Sequence, residues 1–556
     1  MKRMLSITRY LPRALVLAAL LVALQTFSLA ERRERLIEGW RPLHYEVALT
    51  FDDRLSQLTS ARTDITVQLI KEGVAALDLD FGELPVDAVR VNGATAPFRR
   101  EAGKLFVTLP QGLKQEAQFT VSVAYHGRPK DGLMLMPDND GKPSATGDNW
   151  PDRVHHWIPC FDHPSAKATV RFTVTAPARD TVVANGQLES TRSNSNRTQT
   201  WVWNESVPVS PYCMIICAGE FARLEAKDNS LTRLSYYVPQ SDRRFAMQGF
   251  APAAPSLKVF TETVAPYPYE KLALIVGATR YGGMENSSAI VFASTLFKGF
   301  ETAQPRSRTY NVPGGVESVV AHEIAHQWFG DSVTEATWSD LWLSEGFATY
   351  FAGLFMEHME GEAVFHDYMK RAAEKYFAYE KERRAPIHDR ETENLNDLLN
   401  PNNYEKGAWV LHMLRGVVGD KAFFEGIRDY YSAHRNSTAT TEDLRAALEK
   451  SSGMNLKELF ARWVYGSGHP RYEVSWRWIP PGDMQHILEI NLRQLQEGDA
   501  PFTNPLIVEI VTQEGTQRVT IKPDSKNFVA RIPLVRQPLE VRIDPDDFVL
   551  KELTVK

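Results

Sequence analysis

The sequence predicts a multidomain α+β protein: an N-terminal antiparallel β domain, a central domain dominated by helical patterns, and a second, smaller β domain. Three observations predict it. The chain has 556 residues and 43% hydrophobic content, and single cores stop growing near about 250–300 residues, so several cores and roughly three domains are expected. Apolar alternation of period two dominates from about 34 to 222 and returns after 471, whereas the period between 223 and 465 is helical. Gly466-Ser467-Gly468-His469-Pro470 punctuates the second change.

The first thirty residues carry Lys2, Arg3, Arg9 and Arg13, an apolar run from Ala14 to Leu24 and small residues at Ser28-Leu29-Ala30. This reads as a secretory leader cleaved after Ala30, and therefore as a secreted or periplasmic protein. Its apolar run is shorter than the roughly 20 residues that cross a bilayer, which disfavours the alternative of an uncleaved N-terminal anchor. No stable membrane span is expected once the leader is gone. Loss of its four positive charges would take the formal charge from −6 to −10, and no basic stripe remains that would suit nucleic acid.

Between 34 and 222, His44 to Leu49, Ala76 to Asp80, Phe119 to Val123 and Ala168 to Val174 alternate apolar and polar side chains and read as strands. Tyr212 to Ala218 reads as a buried strand. Positions four apart on a strand are about 13 Å distant, so Cys213 and Cys217 cannot bridge. With only Cys160 besides, buried thiols are expected. In the central domain Glu405 to Val418, closed by Gly419, and Thr441 to Lys450 read as helices. Leu488 to Leu492 and Leu506 to Val511 restore the strand pattern in a final domain of 471–556.

The chemistry concentrates at His322-Glu323-Ile324-Ala325-His326 and Glu345. Val316, Val320, Ile324 and Trp328 space out an apolar helical stripe around the histidines, with Gly330 as a stop. Residues four apart share a helix face, so His322 and His326 can offer imidazole nitrogens to one metal ion. Glu323 lies about 100° further round, placed to reach a metal-bound water as general base. Glu345 opens a second amphipathic segment with Ser344 as its expected N-cap, and supplies the third ligand of one Zn2+ per chain. Three protein ligands leave a position open, which implies catalysis.

Two further segments carry polar residues of interest. Gly282-Gly283-Met284-Glu285-Asn286 pairs glycines, which allow close backbone approach to a ligand, with a carboxylate suited to a cation. By spacing alone it is equally a turn. Tyr404, before Glu405-Lys406-Gly407-Ala408, could donate to a developing oxyanion or simply pack.

These segments, in this order and spacing, resemble the aminopeptidase N family of gluzincin metallopeptidases. Trp157 to Thr169 is similar to the signature of that family's first domain. The resemblance implies a thermolysin-like catalytic domain covered by the N-terminal β domain and followed by a small β sandwich. The large helical domain common in the family is not expected, because the chain ends too soon for it. The resemblance further implies zinc on His322, His326 and Glu345, Glu323 as the base, and Tyr404 on the oxyanion. Glu285 would hold the free α-ammonium of a peptide, so that residues leave from the amino terminus. Gly283 stands where the family usually has alanine, a change expected to preserve the backbone contact. Asp148, in Gly147-Asp148-Asn149-Trp150, stands where relatives offer Gln or Glu to the amine and is expected to take that role. A zinc endopeptidase and an inactive peptide-binding module are the alternatives.

Overall fold

The computed structural model describes residues 31–228, 230–297, 315–479, 486–496, 498 and 500–556. The leader read at 1–30 lies outside them. Among the described residues, no helix is long and apolar enough to cross a membrane.

The N-terminal region is built on an eight-stranded sheet whose middle strands are Ala168–Pro177, Trp40–Phe51, Leu58–Leu69 and Gln118–Gly127. Alternation drives it: Tyr45, Val47, Leu49 and Phe51 are buried while the residues between them are half-exposed. The sheet is antiparallel except at one pairing, where Trp40–Phe51 runs parallel to Ala168–Pro177 with Val47 beside Phe172. A four-stranded sheet carries Pro143–Gly147 and Ile216–Gly219 as its inner strands. The strand expected from Tyr212 to Ala218 is shorter than its apolar run. Pro211–Cys213 forms a 3-10 turn, with proline's fixed φ in its first position, and the strand starts at Ile216. Cys160, Cys213 and Cys217 are buried free thiols.

The central region opens with a sheet that its helical periodicity did not suggest. Its five strands lie in the order Ala222–Glu225, Arg233–Val238, Lys271–Gly277, Ala289–Ala293, Gly283–Met284. Lys271–Gly277 pairs in parallel on both sides and is covered on both faces, so it shows a continuous apolar run and no alternation. Gly283–Met284 is the edge strand, antiparallel to its one neighbour.

Among the described residues the α-helices, in chain order, are α1 Arg243–Gly249, α2 Ala253–Thr263, α3 Gly315–His326, α4 Trp342–Glu360, α5 Glu362–Glu380, α6 Gly407–Val418, α7 Asp420–His434, α8 Thr441–Ser452 and α9 Lys457–Trp463. A π-helical turn, Asn402–Lys406, leads into α6, so regular helix begins two residues later than the pattern from Glu405. The helix expected at Thr441 is capped by Thr440 and Asp443, which exchange bonds with each other's backbone N–H. At α4 the expectation fails: the helix starts at Trp342, and Ser344 lies inside it instead of capping it.

The C-terminal residues form facing sheets of four and three strands, including Ile487–Gln494 and Leu506–Thr512. Their apolar side chains join the core of the helical region, which runs from Leu411 through Val474, Leu488, Ile490 and Leu492 to Leu506 and Val541. His412 on α6 stacks on Phe548 at 5.0 Å, at this junction.

Burial of His412, with Arg415 nearby, depresses its pKa from 6.5 to about 3. The unfolded chain takes up that proton between those values and the folded chain does not, so stability falls as pH drops through the window. His412→Leu should lose less stability than the native chain between pH 6.5 and 4.5 (urea midpoints at each pH measure it), and equal slopes would remove His412 as a source of acid sensitivity.

Candidate active site

α3 and α4 pack side by side and bring three donor atoms together. His322 Nε2 and His326 Nε2 are 3.0 Å apart, and Glu345 Oε2 lies 3.3 Å and 3.4 Å from them. A four-coordinate zinc with bonds of about 2.0–2.2 Å places its ligand atoms about 3.3–3.6 Å apart, so the triangle has nearly the required size. Glu345 Oε2 is buried and has no hydrogen-bond partner, which a metal ion would remedy. The ring of His326 is oriented from behind: its Nδ1 lies 3.1 Å from the Phe329 carbonyl, which accepts its proton and leaves the Nε2 lone pair for a metal. Ser344 Oγ is also 3.1 Å from that Nδ1, which is the use the fold makes of this serine. Gly330 makes room for both, since a Cβ there would fall 2.4 Å from Ser344 Oγ and 2.9 Å from His326 Nδ1 at a φ of +120°.

The electrostatics ask for a cation. Burial pushes Glu285 up to about 7 and Glu323 well above the usual carboxylate range, with His326 opposing. Glu345, although buried, is held near about 2 by the two histidines. Several carboxylates thus share a low-dielectric site with two imidazoles, and the donor set fits a divalent ion.

The sequence-predicted residues gather unevenly. Gly282, Gly283, Met284, Glu285, Glu323 and Tyr404 line one cavity of about 490 Å³ together with the three donors. The Tyr404 ring stacks on His322 at 5.9 Å and 6°. Its pKa is raised well above 10 by burial and by Glu345, so the hydroxyl keeps its proton. Asn286 and Asp148 do not line the cavity. Asn286 is buried and donates to the Met284 carbonyl at 3.2 Å. Asp148 has no exposure, and both its oxygens are engaged: Oδ2 by Arg153 at 2.9 Å, Oδ1 by Thr279 at 3.0 Å. A Cβ at Gly283 would lie 2.3 Å from Glu323 Cδ, so the Glu323 side chain, which sits against the edge strand, would have to shift to admit one.

Two features escaped the sequence reading. Gln327 is fully buried and brackets the loop after Glu285. Its Nε2 donates to the Glu285 carbonyl at 2.8 Å and to Asp331 at 2.7 Å, while its Oε1 accepts from the Ser288 N–H at 2.9 Å. A lone amide closing an apolar helix next to His326 was the available signal. Gly346 and Gly407 let α4 and the start of α6 touch backbone to backbone, a Cβ on Gly346 falling 2.9 Å from Gly407 Cα. That contact sets the spacing between Glu345 and Tyr404.

Comparison with known proteins follows the same division of the chain. A model described as the Peptidase M1 N-terminal domain matches residues 41–213, and one described as the Peptidase family M1 domain matches 251–463. The chain belongs to the M1 peptidase family. It is 27% identical over 423 residues to "Probable aminopeptidase 2" of Sulfurisphaera tokodaii, covering 71% of this chain and 50% of that one. To "Aminopeptidase M1" of Arabidopsis thaliana it is 30% identical over 328 residues, covering 58% and 36% respectively. The chain thus spans about half the length, or less, of these curated relatives. The crystal structure of an M1 zinc metallopeptidase from Deinococcus radiodurans is 26% identical, with a TM-score of 0.64, covering 80% of this chain and 95% of that one.

An alanine at Gly346 would gain helix propensity of at most about 1 kcal/mol, but its methyl collides with a backbone that cannot rotate away. Gly346→Ala should therefore show a net loss of about 1–3 kcal/mol in urea unfolding; unchanged or increased stability would mean that α4 and α6 separate freely.

Proposed function

We propose that this M1 family chain is a zinc-dependent aminopeptidase that hydrolyses the first peptide bond of peptides with a free amino terminus. The observation that carries the reading is the triangle of His322, His326 and Glu345 with Glu285 within 4.8 Å of His326 in the same cavity. Names of the relatives, aminopeptidases and a zinc metallopeptidase, support it.

Each step falls to a residue of the chain. Glu285, buried beside the edge strand Gly283–Met284, pairs with the substrate ammonium and so fixes which bond reaches the donors. The edge strand has only one partner strand, leaving backbone groups for an extended peptide. Zinc bound by the three donors would polarise the scissile carbonyl and acidify a water. Glu323 removes the proton of the attacking water and returns it to the leaving nitrogen. Tyr404 donates a hydrogen bond from its hydroxyl to the carbonyl oxygen as charge develops there, a contribution of roughly 10² to 10³ in rate for donors of this kind. Asp148 serves the amine end indirectly in this reading, since its bond to Thr279 holds the segment that leads into Tyr281 and Gly282. We also propose domain limits of 34–222, 223–465 and 471–556. Export to the periplasm or beyond rests on the basic and apolar pattern of 1–30.

Amino-acid arylamides should be hydrolysed and their N-acetylated counterparts spared, with activity lost to a chelator and restored by zinc. Cleavage of acetylated peptides would favour an endopeptidase, and no turnover across a dipeptide set would favour a binding module. Glu323→Gln should keep one metal per chain by elemental analysis while kcat falls by about 10² to 10⁴; near-native turnover would end its assignment as the base.

A further inference from the structure

Beyond the three donors the cavity is lined by residues around Glu285 and by residues around Tyr404. Glu285 lies on the His326 side, within 4.8 Å of that ring's nitrogen. On the other side the Tyr404 ring stacks on His322, and the next residue, Glu405, is paired with Lys375 of α5 at 2.5 Å. Lys375 is also felt electrostatically at His322. Both Lys375 and Glu405 line the cavity, and Lys375 is the one Lys or Arg among its described lining residues. Its side chain keeps 42% exposure, whereas Glu405 is buried.

An ammonium held at Glu285, with the first carbonyl at the donors, sends the rest of a peptide past His322 toward Tyr404 and Lys375. An ammonium group carries three N–H donors in rotatable positions, of which Glu405 occupies one. Each extended residue advances the chain by about 3.3–3.6 Å, so a peptide two or three residues long spans roughly 7–11 Å. The cavity volume of about 490 Å³ lies in the range of small-ligand pockets.

We propose that Lys375 binds the free C-terminal carboxylate of short peptides, so that the site reads both charged ends and favours di- and tripeptides. The proposal rests on the aminopeptidase reading above. Lys375 could instead act only through Glu405, steadying Tyr404, and that role would affect every substrate alike.

The test compares the zinc-loaded native chain with Lys375→Met and Lys375→Arg on a tripeptide, its C-terminal amide and an amino-acid arylamide. In the native chain, kcat/KM for the free acid should exceed that for the amide by about tenfold, a typical effect of one charge-assisted hydrogen bond in a partly desolvated site. Lys375→Met should abolish this ratio through KM for the acid, and Lys375→Arg should retain most of it. An unchanged ratio in Lys375→Met, or an equal fall for all three substrates, overturns the carboxylate assignment while leaving the aminopeptidase reading intact. Failure of the native chain to hydrolyse any of the three overturns both.

Discussion

The structure depends on holding a buried carboxylate against one buried and one half-buried imidazole. Glu345 Oε2 sits 3.3–3.4 Å from both histidine nitrogens, and the Glu345 side chain is only 5% exposed. Removing a carboxylate from water is unfavourable unless positive charge or hydrogen bonds replace its hydration. Here the two histidines partly replace it, and the geometry leaves the rest to a cation. The helices that carry the donors therefore cannot drift. Phe329, Ser344 and Gly330 orient His326, and the backbone contact of Gly346 with Gly407 fixes α4 against the turn that holds Tyr404.

The same rigidity extends to the part of the cavity around Glu285. Gln327 follows the second histidine and directs its amide to the loop after Glu285, so the carboxylate proposed to meet an ammonium is tied to the helix that carries His322 and His326. The N-terminal region contributes from behind. Asn185 donates to the Ser287 carbonyl at 2.6 Å, and Lys167 donates to the carbonyls of Asp331 and Ser332 at 2.6 Å and 2.8 Å. The β region is thus part of the scaffold of the site, which explains why Asp148 belongs to the loop's support and not to its exposed face.

Much of this was legible in one dimension. Local repeats have local causes: alternation at His44 to Leu49 becomes a half-buried strand, and the four-residue spacing of His322 and His326 becomes one helix face. Ser344 misled because an N-cap signal is only a preference, and the helix begins earlier, freeing the hydroxyl for His326. Lys271–Gly277 was invisible as a strand because a segment buried on both faces has no alternation to show. The burial of Asp148 was not legible because it is set by Arg153 and Thr279, five and 131 positions away.

The sequence by itself determined the candidate donor types, their helical spacing and the carboxylate beside them, since these follow from side-chain chemistry and a 3.6-residue period. Only the tertiary structure decided which distant groups face one cavity. Glu285, Lys375 and Glu405 come from an edge-strand end, a helix and a π turn, and their separation depends on packing between elements, which no local pattern encodes. Gly346 and Gly407 show the reason: each is an ordinary glycine in the chain, and their meaning exists only where two backbones meet.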